Sequence, residues 1–250
     1  MKEIGGYIEL DTYTGAILHE KAIALNCERG ALEYLCEAKM IRKLYLPYFL
    51  CDSVPNLCKK INVEYEFYHI NEAFEPVFTK EIGANEWLYI VNFYGQLSNE
   101  YLNNWKQRYD RVIVDNAQSY FQMPVDGLDV LYTCRKYFGV ADGAFLYTDA
   151  KLDRELPQDE SFERMHFLLG RYERSANEFY SEYVLNNKLF ATEPVKRMSR
   201  LTENLLHGIN YDIVAKRRQE NFDFLDAEFR DINELNLKSV YGAFMYPLLI

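Results

Sequence analysis

Three residues in one stretch of the chain could act together on a carbonyl group. Asp115 ends the apolar run RVIV, Gln118 follows three residues later, and Lys136 lies in a predicted turn that is followed by Gly139 and Gly143. A partly desolvated lysine can lose its proton and form a Schiff base with an aldehyde. A carboxylate at the end of a strand could keep a ring nitrogen protonated, which makes the ring an electron sink. The stretch from Asp110 to Thr148 therefore predicts a site for aldehyde-cofactor chemistry.

Each of these residues also has an ordinary structural explanation when it is taken alone. Lys136 could be a surface lysine in a turn, Asp115 a turn or helix-capping residue, and Gln118 a surface amide. What favours the chemical interpretation is their order along the chain, together with a further turn near the N-terminus.

That further turn, Cys27 to Gly30, leads into a predicted helix. Its backbone N–H groups and the positive end of the helix dipole could bind a phosphate. Arg29 could add a direct contact, whereas Glu28 opposes an anion unless its side chain points to solvent. An ordinary strand-to-helix turn is the alternative, and with a single glycine the pattern does not decide between them.

The elements that would position these residues alternate between strand and helix. Residues 22–148 contain short apolar strand patterns separated by helical periodicities, such as Leu32, Leu35, Cys36 and Met40. This alternation predicts an α/β fold with a doubly wound, mostly parallel sheet. Ligands bind beyond the carboxyl ends of the strands in such sheets, and both Asp115 and the Cys27–Gly30 turn fall there.

The pattern changes after Pro157. Apolar residues from Phe162 to Tyr183 recur at spacings of three and four, which predicts one long amphipathic helix. A second helix is predicted over 212–229, and the segment SVYGAFMYPLLI is a predicted apolar strand at the C-terminus. We expect a large α/β domain over 1–205, then a linking helix and the start of a small domain over 206–250.

Composition argues against several classes of protein. The net charge is −10, the pI is about 5.0 and no basic stripe is present, which argues against a nucleic-acid partner. Five cysteines without CxxC or zinc spacing indicate reduced thiols in a cytoplasmic protein with no metal site. The four histidines are scattered, and neither a signal peptide nor a membrane span is expected.

Several stretches resemble the DegT–DnrJ–StrS group of sugar aminotransferases, fold-type I enzymes that use pyridoxal 5′-phosphate (PLP). The stretches are ALNCERGALEYL (24–35), LYLPYFLCDSVPNL (44–57), YIVNFYGQ (89–96), IVDNAQSYF (113–121) and LYTCRKYFGVADGAFLYTD (131–149). The Asp-x-x-Gln motif followed by Lys is the most specific part, and the resemblance covers roughly residues 20–150. It implies a fold-type I large domain with a mostly parallel, seven-stranded sheet and helices on both faces.

By this resemblance, Lys136 would carry the Schiff base and act as general base for proton transfer. Asp115 would pair with the pyridine nitrogen of PLP, and Gln118 would contact the phenolic oxygen of the ring. The remaining cofactor contacts would come from the backbone amides of Glu28 and Arg29 at the phosphate, Thr133 beside them, and Tyr48 or Phe49 against the ring. A strict register places Cys51 at the ring-stacking position.

The resemblance implies a PLP-dependent aminotransferase for a nucleotide-linked keto-sugar in amino-sugar or surface-polysaccharide biosynthesis. Glutamate would be the amino donor, and the protein would be a cytoplasmic homodimer without nucleic-acid or membrane partners. A Lys at position 136, where the family's dehydratase branch has His, favours transamination.

The sequence departs from the family pattern at three places, and the first and last of these support a second hypothesis. Cys27-Glu28-Arg29 replaces a Ser-Gly-Thr turn, SANEFYSEY (175–183) stands where an Asn-Tyr-Arg motif is expected, and the small C-terminal domain is not completed. The alternative is therefore a degenerate, non-catalytic homologue that acts as a scaffold or regulatory binding protein.

Overall fold

Strands from the first 147 residues form one sheet in the computed structural model, which describes residues 5–250; the first four residues of the predicted domain 1–205 lie outside it. The strands are β1 (Ile23–Leu25), β2 (Lys43–Pro47), β3 (Glu64–Ile70), β4 (Pro76–Val77), β5 (Glu86–Val91), β6 (Val112–Asp115), β7 (Asp129–Thr133) and β8 (Ala144–Tyr147). The sheet thus has eight strands within the described residues, where seven were expected. The extra strand is the two-residue β4, which pairs with the edge of β3.

The strand order is β1-β8-β7-β6-β5-β2-β3-β4. Strands β3, β2, β5, β6 and β7 run parallel, whereas β8 is antiparallel to both of its neighbours, β7 and β1. The mostly parallel α/β sheet predicted from the alternation is confirmed. Because β5, β6 and β7 run in the same direction, their last residues, Val91, Asp115 and Thr133, meet at one edge of the sheet.

Both faces of the central strands are buried, as a doubly wound sheet requires. Val112 and Val114 of β6 pack into one core cluster, while Ile113 between them packs into the other. This alternation follows from the two-residue period of a strand, which sends neighbouring side chains to opposite faces. The strand is apolar at every position before Asp115 because helices and loops cover both sides.

The helices are α1 (Glu28–Ala38), α2 (Ser53–Lys60), α3 (Asn99–Arg108), α4 (His166–Glu173), α5 (Tyr180–Leu189), α6 (Arg200–His207) and α7 (Tyr211–Phe229). Helix α1 begins directly after β1 and buries Leu32, Leu35 and Cys36, three of the four apolar positions that predicted it. Met40, the fourth, lies beyond the helix end and is exposed. None of the helices within residues 5–250 is long and apolar enough to cross a membrane.

The single long helix predicted from Phe162 to Tyr183 is wrong. The segment contains a 3₁₀ turn, α4, a second 3₁₀ turn at Ala176–Phe179, and α5. Arg174 has an extended backbone (φ −139°, ψ −173°) that ends α4, and Ser175 with Glu178 forms a capping box that starts the next turn. Glycine at position 170 lets the Phe179 ring fold back onto α4, since a Cβ there would lie 2.3 Å from that ring.

The last segment of the chain also differs from its pattern. The segment SVYGAFMYPLLI forms no strand. Tyr246 packs against α7, where its ring lies 5.2 Å from the Phe222 ring, whereas the Phe244 ring lies 5.7 Å from the Tyr137 ring and Ile250 is exposed. Asn233 anchors the segment by donating to the Pro247 carbonyl oxygen at 3.0 Å. Helix α6 spans residue 205, and the division into domains at that residue stays a prediction.

Candidate active site

A cavity of about 650 Å³ lies at the carboxyl ends of β5, β6 and β7, beside the N-terminus of α1. All of the site residues predicted from the sequence line it: Glu28, Arg29, Tyr48, Phe49, Asp115, Gln118, Thr133 and Lys136. They come from segments as much as 108 residues apart in the chain, which the parallel sheet brings to one edge. Their placement is a structural observation, while their individual chemical roles remain predictions.

Asp115 is a buried carboxylate whose two oxygens are both oriented. Its Oδ2 accepts a hydrogen bond from the Tyr89 hydroxyl at 2.7 Å, and its Oδ1 accepts one from the Ala117 backbone N–H at 2.8 Å. Burial and the nearby Asp115 charge raise the pKa of Tyr89 well above its usual value, so its hydroxyl stays a donor. A carboxylate offers about four lone-pair positions, and Asp115 can therefore accept a further hydrogen bond from a ligand.

Glu28, the first residue of α1, directs its carboxyl group into the cavity. Its Oε1 is buried and has no hydrogen-bond partner within the described chain. Burial raises the pKa of Glu28 well above its usual value, and the neighbouring Asp115 raises it further, while Lys136 has the opposite effect. Glu28 is therefore biased towards the neutral acid. From the sequence, we expected Glu28 to oppose an anion at this turn unless its side chain pointed to solvent. Its carboxyl group lies inside the cavity instead.

Lys136 lies in the turn after β7 with an exposed side chain. It takes part in none of the ion pairs found within residues 5–250, and its Nζ lies 5.7 Å from the centre of the Phe244 ring. Arg218 of α7 donates to the Lys136 and Tyr137 carbonyl oxygens at 3.5 and 3.4 Å. The C-terminal part of the chain therefore supports the turn that carries the amine.

Gln118 and Thr133 also line this cavity. The Gln118 Oε1 accepts from the Tyr94 backbone N–H at 3.0 Å, which leaves its Nε2 as the end that can donate to a ligand. Tyr94 has a positive φ of 55°, so this hydrogen bond helps to hold an unusual backbone conformation. Thr133 is buried at the last position of β7.

The two candidate stacking residues have different surroundings. The Tyr48 ring stacks on Phe67 at 4.9 Å and lies 4.7 Å from the His69 ring, both on β3. The Phe49 ring lies 5.1 Å from Phe93, which also lines the cavity. Both residues line the cavity, but the Tyr48 ring is engaged with β3, whereas the Phe49 ring contacts another residue of the cavity wall.

Among the cavity residues that the sequence did not predict are Tyr89 and Arg135. Tyr89 lies in the middle of β5, where an apolar strand pattern gives no sign of a contact with Asp115. Arg135 directly precedes Lys136. Two successive cations after a buried strand could have indicated a second functional residue in this turn. The Nε and Nη1 atoms of Arg135 are buried and unpartnered within residues 5–250, and burial lowers the pKa of the guanidinium.

Comparison with known proteins identifies the fold. No protein-family model and no curated protein sequence matches the chain. Solved structures do match, among them the sugar aminotransferase CalS13 from Micromonospora echinospora, with a TM-score of 0.55, 14% identity and 94% of this chain covered. A DegT DnrJ EryC1 StrS aminotransferase from Brucella abortus has a TM-score of 0.50 and 13% identity over 89% of this chain.

A third match is NtdA from Bacillus subtilis with bound cofactor PMP, with a TM-score of 0.53 and 11% identity over 95% of this chain. The chain spans 69%, 63% and 59% of the lengths of the three proteins, in the order given. At 11 to 14% identity, the likeness concerns the fold. The chain has the fold of the DegT DnrJ EryC1 StrS sugar aminotransferases.

Proposed function

We propose that the protein is a PLP-dependent aminotransferase that acts on a keto-sugar. The observation that carries this proposal is the meeting of Asp115 and Lys136 in one cavity, at the ends of adjacent parallel strands. A buried, oriented carboxylate and an accessible amine are the two groups that an aldehyde-bearing pyridine requires. The sugar aminotransferases that share the fold support the choice of reaction.

The groups in the cavity fit the chemistry of PLP. Asp115 offers a carboxylate to the ring nitrogen, Lys136 an amine to the aldehyde, and Gln118 an amide donor to the ring oxygen. Unpartnered guanidinium atoms of Arg135 provide donors for a phosphate. Glu28, at the start of α1, would repel the phosphate if it were ionised, and the rise in its pKa reduces that repulsion.

PLP, when bound, supplies an aldehyde that exchanges amines and a ring that withdraws electrons from the attached carbon. Asp115 would hold a proton on the ring nitrogen, and the Tyr89 hydroxyl would keep that carboxylate oriented. Lys136 would hold the cofactor through Nζ and then move the proton from the substrate carbon. Phe49 would cover the ring and exclude water from one of its faces.

The finer parts of the proposal concern the substrates and the assembly. A nucleotide-linked keto-sugar would accept the amine, glutamate would supply it, and the product would enter amino-sugar or surface-polysaccharide biosynthesis. The choice of a sugar as the acceptor is supported by matched proteins such as CalS13, which is a sugar aminotransferase. We also propose that the protein is a cytoplasmic homodimer.

The test is a half-reaction. The protein is loaded with PLP and mixed with L-glutamate, and conversion to the amine form is followed by absorption and by release of 2-oxoglutarate. We expect conversion by the wild type and by Lys151→Ala, an exposed lysine outside the cavity, and none by Lys136→Ala. A panel of nucleotide-linked keto-sugars then identifies the acceptor. Equal conversion by Lys136→Ala would contradict the proposed function.

One observation favours the second candidate, a non-catalytic homologue. The Glu28 carboxyl lies beside Asp115 inside the cavity, where it competes with a ligand for the same space and the same acceptor. In that case the wild type would bind PLP weakly, and Glu28→Gly would bind it more tightly. PLP binding by the wild type that is as tight as, or tighter than, binding by Glu28→Gly would exclude this candidate.

A further inference from the structure

Two arginines converge on one residue beside the N-terminus of α1. The Arg29 Nη2 donates to the Asn187 carbonyl oxygen at 2.9 Å, and the Arg135 Nη2 donates to the Asn187 Oδ1 at 2.7 Å. All three residues line the cavity described above. Asn187 thereby fixes two positively charged side chains, one from α1 and one from the turn after β7, in the same part of the cavity.

This pair of cations is not neutralised by an ion pair. Neither arginine takes part in any ion pair found within residues 5–250, and the Arg29 charge disfavours that of Arg135. The Arg135 Nε and Nη1 atoms are buried without a hydrogen-bond partner there. A buried charged donor that is left unpaired costs stability, so an anion that supplies the missing acceptors would stabilise this arrangement.

The start of α1 adds donors of the same kind. The Cys27 Sγ accepts from the Gly30 backbone N–H at 3.3 Å and caps the helix. The backbone N–H groups of Glu28 and Arg29 have no intrahelical partner, since the first N–H groups of a helix lack one. They and the helix dipole favour an anion at this end of α1.

The number and arrangement of these donors suit a phosphate monoester. Its three terminal oxygens can accept from several groups at once, and a guanidinium presents its N–H groups in a planar fork that matches two of them. The Arg135 guanidinium also lies 4.5 Å from the centre of the Phe190 ring, which helps to fix its position. No hydroxyl side chain is present at positions 27 to 29.

We propose that Arg135, assisted by Arg29 and the first N–H groups of α1, is the phosphate-binding residue of the cavity and holds the phosphate of PLP. This inference rests on the proposed function for the identity of the ligand. The guanidinium of Arg135, from the turn that carries Lys136, would bind the phosphate in place of the hydroxyl groups of a Ser-Gly-Thr turn. This contact also explains how the Cys27-Glu28-Arg29 turn can serve a phosphate.

The first test uses the apoprotein, inorganic phosphate and thermal unfolding. We expect phosphate to raise the Tm of the wild type and of Arg154→Met, whose arginine pairs with Glu37 at the surface. Arg135→Met should show no phosphate-dependent rise. Without phosphate it should be as stable as the wild type or more stable, by up to about 4 °C, because an unpaired buried charge has been removed. A clear loss of stability with an undiminished phosphate effect would overturn the inference.

The second test compares PLP with pyridoxal, which lacks the phosphate, by absorption titration. Wild type should bind PLP at least about 30-fold more tightly than pyridoxal, the equivalent of about 2 kcal/mol. In Arg135→Met this preference should fall to a few-fold, with the affinity for pyridoxal unchanged. An unchanged preference in Arg135→Met would overturn the inference and leave the proposed function standing.

Two further outcomes separate the inference from the function it rests on. If the wild type forms no adduct with PLP but phosphate stabilises it through Arg135, the proposed function fails and the assignment of the anion site to PLP is overturned with it. UDP is also tested in place of PLP. If Arg135→Met weakens the binding of UDP and leaves the binding of PLP unchanged, the site belongs to a nucleotide-linked substrate. That result would also overturn the assignment to the cofactor.

Discussion

The Tyr89 hydroxyl of β5 donates a hydrogen bond to the Asp115 carboxylate of β6 at 2.7 Å. Val91 is the residue paired directly with Asp115, so Tyr89 reaches diagonally along the same face. The Ala117 N–H donates a second hydrogen bond to Asp115. Together the two bonds hold both carboxylate oxygens in fixed positions at the cavity wall. The orientation of Asp115 thus depends on a tyrosine from the neighbouring strand.

Removal of the Tyr89 hydroxyl should weaken PLP binding. A hydrogen bond to a charged group is worth about 1.5–3 kcal/mol, so Tyr89→Phe should lower the affinity by about 10-fold or more. The matched control is Tyr68→Phe, which removes another buried hydroxyl, one that donates to the Tyr89 carbonyl oxygen at 2.8 Å. Affinity is measured by absorption titration. Equal losses in both variants would show that the effect is structural and unrelated to Asp115.

Glu28 should make the apoprotein less stable as the pH rises. Its folded pKa is raised, so the folded state binds more protons than the unfolded state above the ordinary glutamate pKa. Its stabilising contribution is present at low pH and is lost as the pH rises towards the folded pKa. The loss is at most about 1.4 kcal/mol for each tenfold fall in proton concentration. Glu28→Gln should remove this loss.

Urea unfolding of the wild type and Glu28→Gln from pH 4 to pH 8 measures the effect. We expect the variant to gain stability relative to the wild type as the pH increases. Glu33→Gln is the control from the same helix, where Glu33 forms an ion pair with Lys60. A constant difference between wild type and Glu28→Gln across this range would contradict the account.

His19 should make the protein sensitive to acid. It is buried, its Nε2 donates to the Tyr120 carbonyl oxygen at 2.8 Å, and burial lowers its pKa from 6.5 to about 4. The unfolded state therefore binds more protons than the folded state between these values, and stability falls as the pH drops from about 6.5 to about 4. The expected loss is about 3 kcal/mol.

The measurement is the free energy of unfolding in urea across that interval. His19→Gln should flatten this part of the pH dependence, since it removes the titrating group and keeps a polar side chain. His207, which contacts the Gly15 carbonyl oxygen in an exposed hydrogen bond, provides the control as His207→Gln. A slope that persists in His19→Gln and disappears in His207→Gln would be the opposite of what we expect.

Gly170→Ala should destabilise the protein although it lies in a helix. Alanine normally gains about 1 kcal/mol over glycine in a helix interior. At position 170 the added Cβ would lie 2.3 Å from the Phe179 ring, and overpacking of this kind costs about 1–3 kcal/mol. Gly139→Ala, where a Cβ would meet nothing within 4 Å, is the control and should change little. Stabilisation by Gly170→Ala in thermal unfolding would contradict this packing.

The sequence predicted the fold and the edge of the sheet that carries the cavity because both follow from local patterns. Alternation of strand and helix indicates a parallel sheet, and parallel strands end at the same edge. Asp115 and the Cys27–Gly30 turn could therefore be placed together without the structure, and Lys136 was added to them by the resemblance to a known family. The broken helix after Phe162 was missed because its apolar spacing continues through Ser175, and only the capping box and the fold-back of Phe179 reveal the interruption.

The groups that the sequence did not predict act over long separations. Tyr89 meets Asp115 across 26 residues, and Arg135 meets Asn187 across 52. Neither contact leaves a periodicity or a spacing in the sequence. The direction of the Glu28 side chain was equally open, since it depends on how α1 is set against β6. Contacts between elements decide these details, whereas local patterns decide the elements themselves.

The central claim is that Lys136 holds PLP, and chemical trapping tests it most directly. The protein is incubated with PLP, reduced with borohydride, digested and analysed by mass spectrometry. We expect the reduced pyridoxyl mass on the peptide that contains Lys136, and its absence when Lys136→Ala is treated in the same way. A pyridoxyl group spread over exposed lysines such as Lys151 and Lys216, with Lys136 unmodified, would contradict the claim.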